Sequence, residues 1–264
     1  MKIGVCVKQV PASDTRIKVN ADGTGIVTDE VKWEVNPYDE FALEAALQLK
    51  EAGKATEVVI LTVGAAASEQ RIKDGLARGA DSAIRLDDPV FEGSDSLGIA
   101  RVLAAAASKA EVGLVLCGKQ AIDGDSSQVP AMMAELLNWP QITDISQLEL
   151  DGSTVRAHRA AGAGNMDVIE AALPVVLSCD KGLNTPRFAS LRGIMMAKRK
   201  KIQVWNAADL GLDSAQVGGG AAMLVEQGLS LPPARPSGRM IEGGSVGEKV
   251  NELVRLLREE AKVL

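Results

Sequence analysis

The densest chemistry in this 264-residue chain lies in Lys119 to Gln128, KQAIDGDSSQ. The stretch gathers two carboxylates (Asp123, Asp125), two hydroxyls (Ser126, Ser127), the amides of Gln120 and Gln128, and Gly124. An apolar run, Val112 to Cys117, leads into it and is closed by Gly118; Val129 and a helically spaced run from Met132 to Leu137 follow. Backbone N–H groups, hydroxyls and an amide at the carboxyl end of a buried parallel strand are what open α/β sheets use to hold nucleotides. Read alone, the stretch is explained at least as well by an ordinary strand-to-helix turn with Asp125 or Ser126 as N-cap.

Other chemistries find less support. His158 is the one histidine and has no Cys-rich or acidic cluster beside it, which argues against zinc and against a Ser-His-Asp triad and for an exposed strand position. Cys6, Cys117 and Cys179 are widely spaced, odd in number and set in apolar runs, as expected of buried, reduced thiols in a cytosolic-type compartment. Residues 161 to 164, AGAG, lack the third glycine, the following helix and the acidic residue of a dinucleotide fingerprint. GGSVGEK, ending at Lys249, misses the Walker A spacing. The net charge of -6 gives no reason to expect nucleic acid. MKIGVCVKQVP lacks a cleavage pattern and no eighteen apolar residues run together, so neither a signal peptide nor membrane insertion is expected.

The elements that must position the loop follow from periodicity. Lys2 to Lys8 predicts a strand with Ile3, Val5 and Val7 on one side and Gly4 and Cys6 on the other. NADGT, between Ile17 to Val19 and Gly25 to Thr28, predicts a small hairpin. Asn36 and Pro37 mark a turn, with Asp39 as cap of a helix from Glu40 to Ala52 stopped by Gly53. Glu57 to Val63 and Ala83 to Leu86 predict strands, and Ser68 to Arg78 and Ser96 to Ala110 helices. This alternation implies right-handed βαβ units, a mostly parallel sheet and helices on both faces. After Pro140, Ser146 to Leu150, Thr154 to Arg159, Met166 to Ala171 and Val175 to Cys179 predict an antiparallel extension of the sheet.

Lys181 to Trp205 is the second informative stretch: a loop, an amphipathic segment with Leu191, Ile194 and Met195, then the basic cluster Lys198 to Lys201. It suits a docking surface for an acidic partner or, equally, a solvated helix end. The prolines and glycines of LSLPPARPSGRMIEGG predict an extended arm, followed by a helix from Val246 to Leu264 with an apolar stripe of Val250, Leu253, Val254 and Leu257.

Three motifs in this order, VNPYDEFALEAALQLKE, GKQAIDGDSSQ with NWPQ after it, and LNTPRFASLRGIMMAKRKKI, resemble the β (small) subunit of electron-transfer flavoprotein, and the likeness runs from VCVKQVP to NAADLGLD. The weakest match is Arg159 to Pro174. The resemblance implies an adenine-nucleotide α-hydrolase-like α/β domain over residues 1–205, with a partner-recognition loop at about 183–201, and residues 206–264 as an arm and terminal helix packing on a larger α subunit. The heterodimer would carry FAD, mainly on the α subunit. It would pass electrons from dehydrogenases, such as the acyl-CoA dehydrogenases of fatty acid oxidation, towards a membrane quinone reductase, in the bacterial cytoplasm or, in a eukaryote, the mitochondrial matrix. No catalytic residue would belong to this chain.

In the commonest branch of that family the β subunit holds AMP as a structural ligand. The matching positions are Cys6, Asn36, Pro37, Tyr38, Asp39 and Val63, then Gly118, Lys119, Gln120, Ala121 and Ile122, and onward through Asp123, Gly124, Asp125, Ser126, Ser127, Gln128 and Val129. Asn36 offers an acceptor and donors to a purine edge, and the loop amides offer donors to a phosphate. Family members often carry asparagine where Ser127 stands. The docking loop maps to Leu183, Asn184, Pro186, Arg187, Ile194, Met195 and Lys198, with Leu191 as apolar anchor. Two alternatives stay open: an electron-bifurcating β subunit holding a second FAD in place of AMP, for which Gly124 and the Ser126-Ser127 pair leave room, and a stand-alone ATP-using enzyme. Against the latter, KQVPAS stands after the first strand where a pyrophosphate loop would be needed.

Overall fold

The computed structural model describes residues 1–235 and 237–264. In chain order the first half forms β1 (Lys2–Cys6), β2 (Gln9–Pro11), β3 (Trp33–Val35), α1 (Pro37–Glu51), β4 (Glu57–Val63), α2 (Glu69–Arg78), β5 (Ser82–Leu86), α3 (Ser96–Lys109), β6 (Val112–Gly118) and α4 (Val129–Leu137). Then come β7 (Gln141–Asp151), β8 (Thr154–Gly162), β9 (Asn165–Ala172), β10 (Val175–Cys179), α5 (Leu191–Ala197), β11 (Gln203–Trp205), α6 (Ala207–Leu210) and α7 (Val246–Glu259).

A nine-stranded sheet runs β11-β5-β4-β1-β6-β10-β7-β8-β9. From β11 to β7 every pairing is parallel; β8 and β9 add the antiparallel extension. The alternation of side chains along each strand sorts two cores. Ile3, Val5, Ile60 and Leu114 pack under Leu43 of α1 and Ile72 and Leu76 of α2. Leu61, Val59, Val115 and Val176 pack under Leu103 of α3 and Met133 of α4. Helices therefore cover both faces, and strands buried on both sides read as unbroken apolar runs.

Several expectations are corrected. Val175 to Cys179 does not join the antiparallel extension: it inserts, parallel, between β6 and β7, with Leu177 beside Leu116 and Ile142. A short run buried on both faces carries no mark of its neighbours. The hairpin around Asp22-Gly23 reduces to one bridge, Val19 to Ile26, and the small two-stranded sheet is β2 with β3. α1 starts at Pro37, whose fixed φ suits the first helical position, with Asn36 as N-cap, so Asp39 lies inside the first turn.

The chain forms two compact units, Met1–Gly228 and Leu229–Leu264. In the second, α7 has a capping box between Ser245 and Glu248, and none of its residues is buried. Among the described residues, no helix is long and apolar enough to cross a membrane.

Candidate functional site

A cavity of about 350 Å³ lies where β1, β4 and β6 end. Cys6, Leu61, Val63, Ile99, Leu103 and Cys117 give it an apolar side. Lys8, Asn36, Asp39, Gly118 to Ala121, Gly124 and Ser126 to Val129 give it a polar side, closed by Ser94, Asp95, Ser96 and Glu226. Its size falls in the range of about 300–1,000 Å³ usual for small-molecule sites, and its mixture of apolar wall and few polar groups is of that kind.

The polar side is braced by Asn36 and Asp39. Asn36, 1% exposed, donates from Nδ2 to the Gln120 carbonyl (2.8 Å) and to Asp39 Oδ1 (2.9 Å), and accepts from the Ile122 N–H (3.2 Å). Both its donors are thus used within the protein, and its part is to hold the loop rather than to offer N–H groups to a purine. Asp39 accepts in addition from the N–H groups of Lys8 (2.7 Å) and Gly118 (3.2 Å). One carboxylate therefore ties the end of β1, the start of α1 and the end of β6. Burial pushes its pKa up to about 7 despite these donors. Gly118 is required: a Cβ there would overlap the Asp39 carboxylate and Tyr38.

The loop itself is shaped for an anion. Asp125 and Ser127 take left-handed φ values of 48° and 53°, while Gln128 is right-handed (φ -98°, ψ -35°) and caps α4 without a side-chain bond. Left- and right-handed residues in succession turn consecutive N–H groups to one side, a nest for negative charge, and here the nest opens on a helix N-terminus. Side chains also fix the loop: Gln120 donates to Asp125 Oδ1 (2.6 Å), Ser127 Oγ donates to Gln120 Oε1 (3.1 Å), and Lys8 Nζ pairs with Asp123 (2.8 Å). Lys119 pairs with Asp180 (3.2 Å).

Of the positions expected from sequence, Cys6, Asn36, Asp39, Val63, Gly118 to Ala121, Gly124 and Ser126 to Val129 meet at the cavity. Pro37, Tyr38, Ile122, Asp123 and Asp125 stand behind the lining, the last three as partners of Asn36, Lys8 and Gln120. Sequence reasoning missed Lys8, Leu61, the Ser94 to Ile99 stretch, Leu103 and Glu226. The Asp95-Ser96 pair ahead of an alanine-rich helix is an N-cap signal that could have found the second helix start, and Asp95 Oδ1 indeed accepts from Gly98 N–H (2.9 Å).

The thiols are not set up as nucleophiles. Cys6 and Cys117 lie side by side at the ends of paired strands, and all three cysteines are free and buried. The bond with Cys6, and then burial, raise the Cys117 thiol well above the usual range, and burial raises Cys179.

The expected docking loop divides in two. Leu183, Asn184, Pro186 and Arg187 face inward. Asn184 donates to the Phe41 carbonyl (3.0 Å), and Arg187 binds Glu44 through Nε (2.8 Å) and Nη2 (2.9 Å) and also Glu51. Leu191, Ile194, Met195 and Lys198 face outward on or beside α5, joined by two residues that sequence reasoning missed, Phe188, 94% exposed, and Met196. Gly193 allows α5 to rest on α2, since a Cβ there would run into the Ala77 carbonyl.

The electron transfer flavoprotein domain family matches residues 24–210, which include the braced loop and α5. The chain is 40% identical over 265 residues to an electron transfer flavoprotein subunit beta of Bradyrhizobium diazoefficiens, with all of both chains covered. The beta subunit of Bos taurus is 39% identical, with 98% of this chain and 97% of that one covered. The caffeyl-CoA reductase-Etf complex subunit CarD of Acetobacterium woodii is 38% identical, with 98% and 99% covered. This chain belongs to the electron transfer flavoprotein β-subunit family. Cys6, Lys8 and Glu226 lie outside the matched electron transfer flavoprotein domain, yet the full-length β-subunit relatives extend over them.

Proposed function

We propose that this chain is the small subunit of a heterodimeric electron-transfer flavoprotein, and that its cavity holds AMP as a structural ligand. The nest at Ser127 and Gln128, opening on α4 beside an apolar wall, is the observation that carries the reading. The nest suits a phosphate, the wall of Cys6, Leu61 and Val63 suits a purine face, and a cavity of about 350 Å³ is on the scale of a mononucleotide. No cation needs to be added, because backbone N–H groups supply the positive ends.

The flavin of the heterodimer, held mainly by the α subunit, supplies the electron-carrying chemistry. This chain's residues do other work: Asn36 and Asp39 hold the nucleotide loop in shape, and Phe188, Leu191 and Met195 present an apolar surface to dehydrogenases, such as acyl-CoA dehydrogenases, upstream of a membrane quinone reductase. The arm and terminal helix of residues 206–264 pack on the α subunit, a role supported by the exposed apolar stripe of Val250, Leu253 and Val254. The protein works in the bacterial cytoplasm or the mitochondrial matrix.

A second reading, FAD in the cavity with its adenylate half at the same nest, is favoured by the open space at Gly124, where an added Cβ would meet nothing within 4 Å. Mass spectrometry of ligands released from the purified complex separates the readings. AMP with one flavin supports the first and two flavins the second; ATP turnover without flavin would overturn both.

A further inference from the structure

One wall of the cavity comes from far away in sequence. After α6 the chain returns across the start of α3. There the N–H of Gly218 donates to Ser94 Oγ (2.7 Å), that of Gly219 to the Glu92 carbonyl (2.9 Å), and those of Met223 and Leu224 to Asp95 Oδ2 (2.8 and 3.3 Å). Arg101 adds a bond to the Gln216 carbonyl (2.6 Å). Gly218 is fitted to the crossing: its φ is +85°, and a Cβ would strike the Val90 carbonyl. Two residues past Leu224, Glu226 lines the cavity.

We propose that residues 217–226 are the closing wall of the nucleotide cavity and that Asp95 is the positioning residue that clamps them there, so that ligand binding and the seating of this wall strengthen one another. The proposal rests on the nucleotide reading above. Asp95 is built for two tasks: Oδ1 caps α3 and Oδ2 holds the returning segment. Val217, 1% exposed, roots the start of the segment in the core, but Met223, Leu224, Val225 and Glu226 are all exposed, so its far end depends on these polar bonds and on whatever fills the cavity. Glu226 brings to the wall a carboxylate, an acceptor suited to sugar hydroxyls. Linkage then makes the effect reciprocal: a ligand that steadies the wall must bind more weakly, by the same factor, when the wall is loosened.

The test is hydrogen exchange over residues 216–228 in the purified complex, stripped of nucleotide and reloaded with AMP or with FAD. In the native protein AMP slows exchange at Met223 and Leu224 by about tenfold. Asp95→Asn has one oxygen for two tasks; asparagine caps a helix as well as aspartate does, so α3 keeps it and the wall is released. That variant loses the AMP-dependent slowing and binds AMP about tenfold more weakly. Met223→Pro removes the donor of the shorter of the two bonds from the other side and gives the same loss, read at Leu224. AMP affinity and exchange in both variants equal to native, or AMP binding to the native complex with no slowing, would overturn the clamp. Slowing by FAD rather than AMP supports the clamp with the longer ligand. If the native complex binds neither, the nucleotide reading falls, and the clamp with it.

Discussion

The Asn36 side chain donates to the main-chain oxygen of Gln120 at 2.8 Å, joining the turn before α1 to the loop after β6 across 84 residues. With the bond from Asn36 to Asp39 and the one it accepts from Ile122, this makes the cavity's polar side a single braced piece.

Asn36→Ala leaves the Ile122 N–H and the Gln120 carbonyl without their partner in a half-buried place. Unsatisfied buried groups cost about 1–3 kcal/mol each and partly exposed ones less, so a loss of roughly 1–3 kcal/mol is expected, read as a lower urea midpoint. Nucleotide recovered with the purified complex should fall as well. An unchanged midpoint would show that Asn36 braces nothing.

Asp39 sets a pH dependence with a definite sign. Its pKa is raised by burial to about 7, against about 3.9 in an unfolded chain, so between these values the folded protein keeps a proton that the unfolded chain has lost. Stability therefore falls as pH rises through this window, by roughly 4 kcal/mol in all, and levels off above about 7. Thermal midpoints taken from pH 4 to 8 should display this slope, and Asp39→Asn should flatten it while lowering stability at pH 4, where it withdraws one acceptor from the Lys8 and Gly118 N–H groups. A slope identical in both proteins would rule Asp39 out.

Arg187 ties the loop before α5 to α1. Glu44 is buried, and Arg187 is its charged partner through two of the guanidinium nitrogens. Arg187→Ala strands that carboxylate; breaking a buried pair costs about 3–5 kcal/mol, less here because the arginine is a third exposed, so roughly 2–3 kcal/mol is expected. Arg187→Ala with Glu44→Gln should recover part of the loss in a double-mutant cycle. Additive effects of the two substitutions would mean that the pair is not coupled.

Leu191→Ala and Phe188→Ala test the outward surface. The two side chains are 83% and 94% exposed, so truncation leaves the unfolding midpoint within about 0.5 kcal/mol of native. Burial of either side chain in a partner pocket is worth about 1.5–3 kcal/mol, which predicts slower flavin reduction at limiting dehydrogenase, with Phe188→Ala at least as damaging as Leu191→Ala. Equal rates for native and both variants would remove docking from this surface.

Much of this was legible in the residues. β4 and β6 announce themselves because strands buried on both faces are near-continuous apolar runs, and the loop from Lys119 to Gln128 stands out as polar chain between such a strand and a helix. The place of β10 was not legible, since periodicity marks a strand but not its neighbours; only the register with Leu116 and Ile142 settles it. Asp39 reads as a cap because its carboxylate sits near a helix start, while its partners Lys8 and Gly118 are 31 and 79 residues away. Lys8, Asp95 and Glu226 reach the cavity from three separate stretches of irregular chain, and no local pattern joins them. In the loop before α5, irregular backbone has no period, so nothing in the order Arg187-Phe188 tells which side chain turns inward.

The central position of β10 also bears on synthesis. β6 pairs with β1 on one side and β10 on the other, and β10 ends at Cys179. While the chain is being made, β6 can zip to β1 as soon as it emerges, yet its second edge stays open until about sixty further residues have left the ribosome, a delay of several seconds at ordinary elongation rates. Through that interval an apolar strand offers unpaired N–H and C=O groups to any neighbouring nascent chain. Chaperone dependence of this protein should therefore centre on chains arrested between β6 and β10, and fall once Cys179 is free to insert.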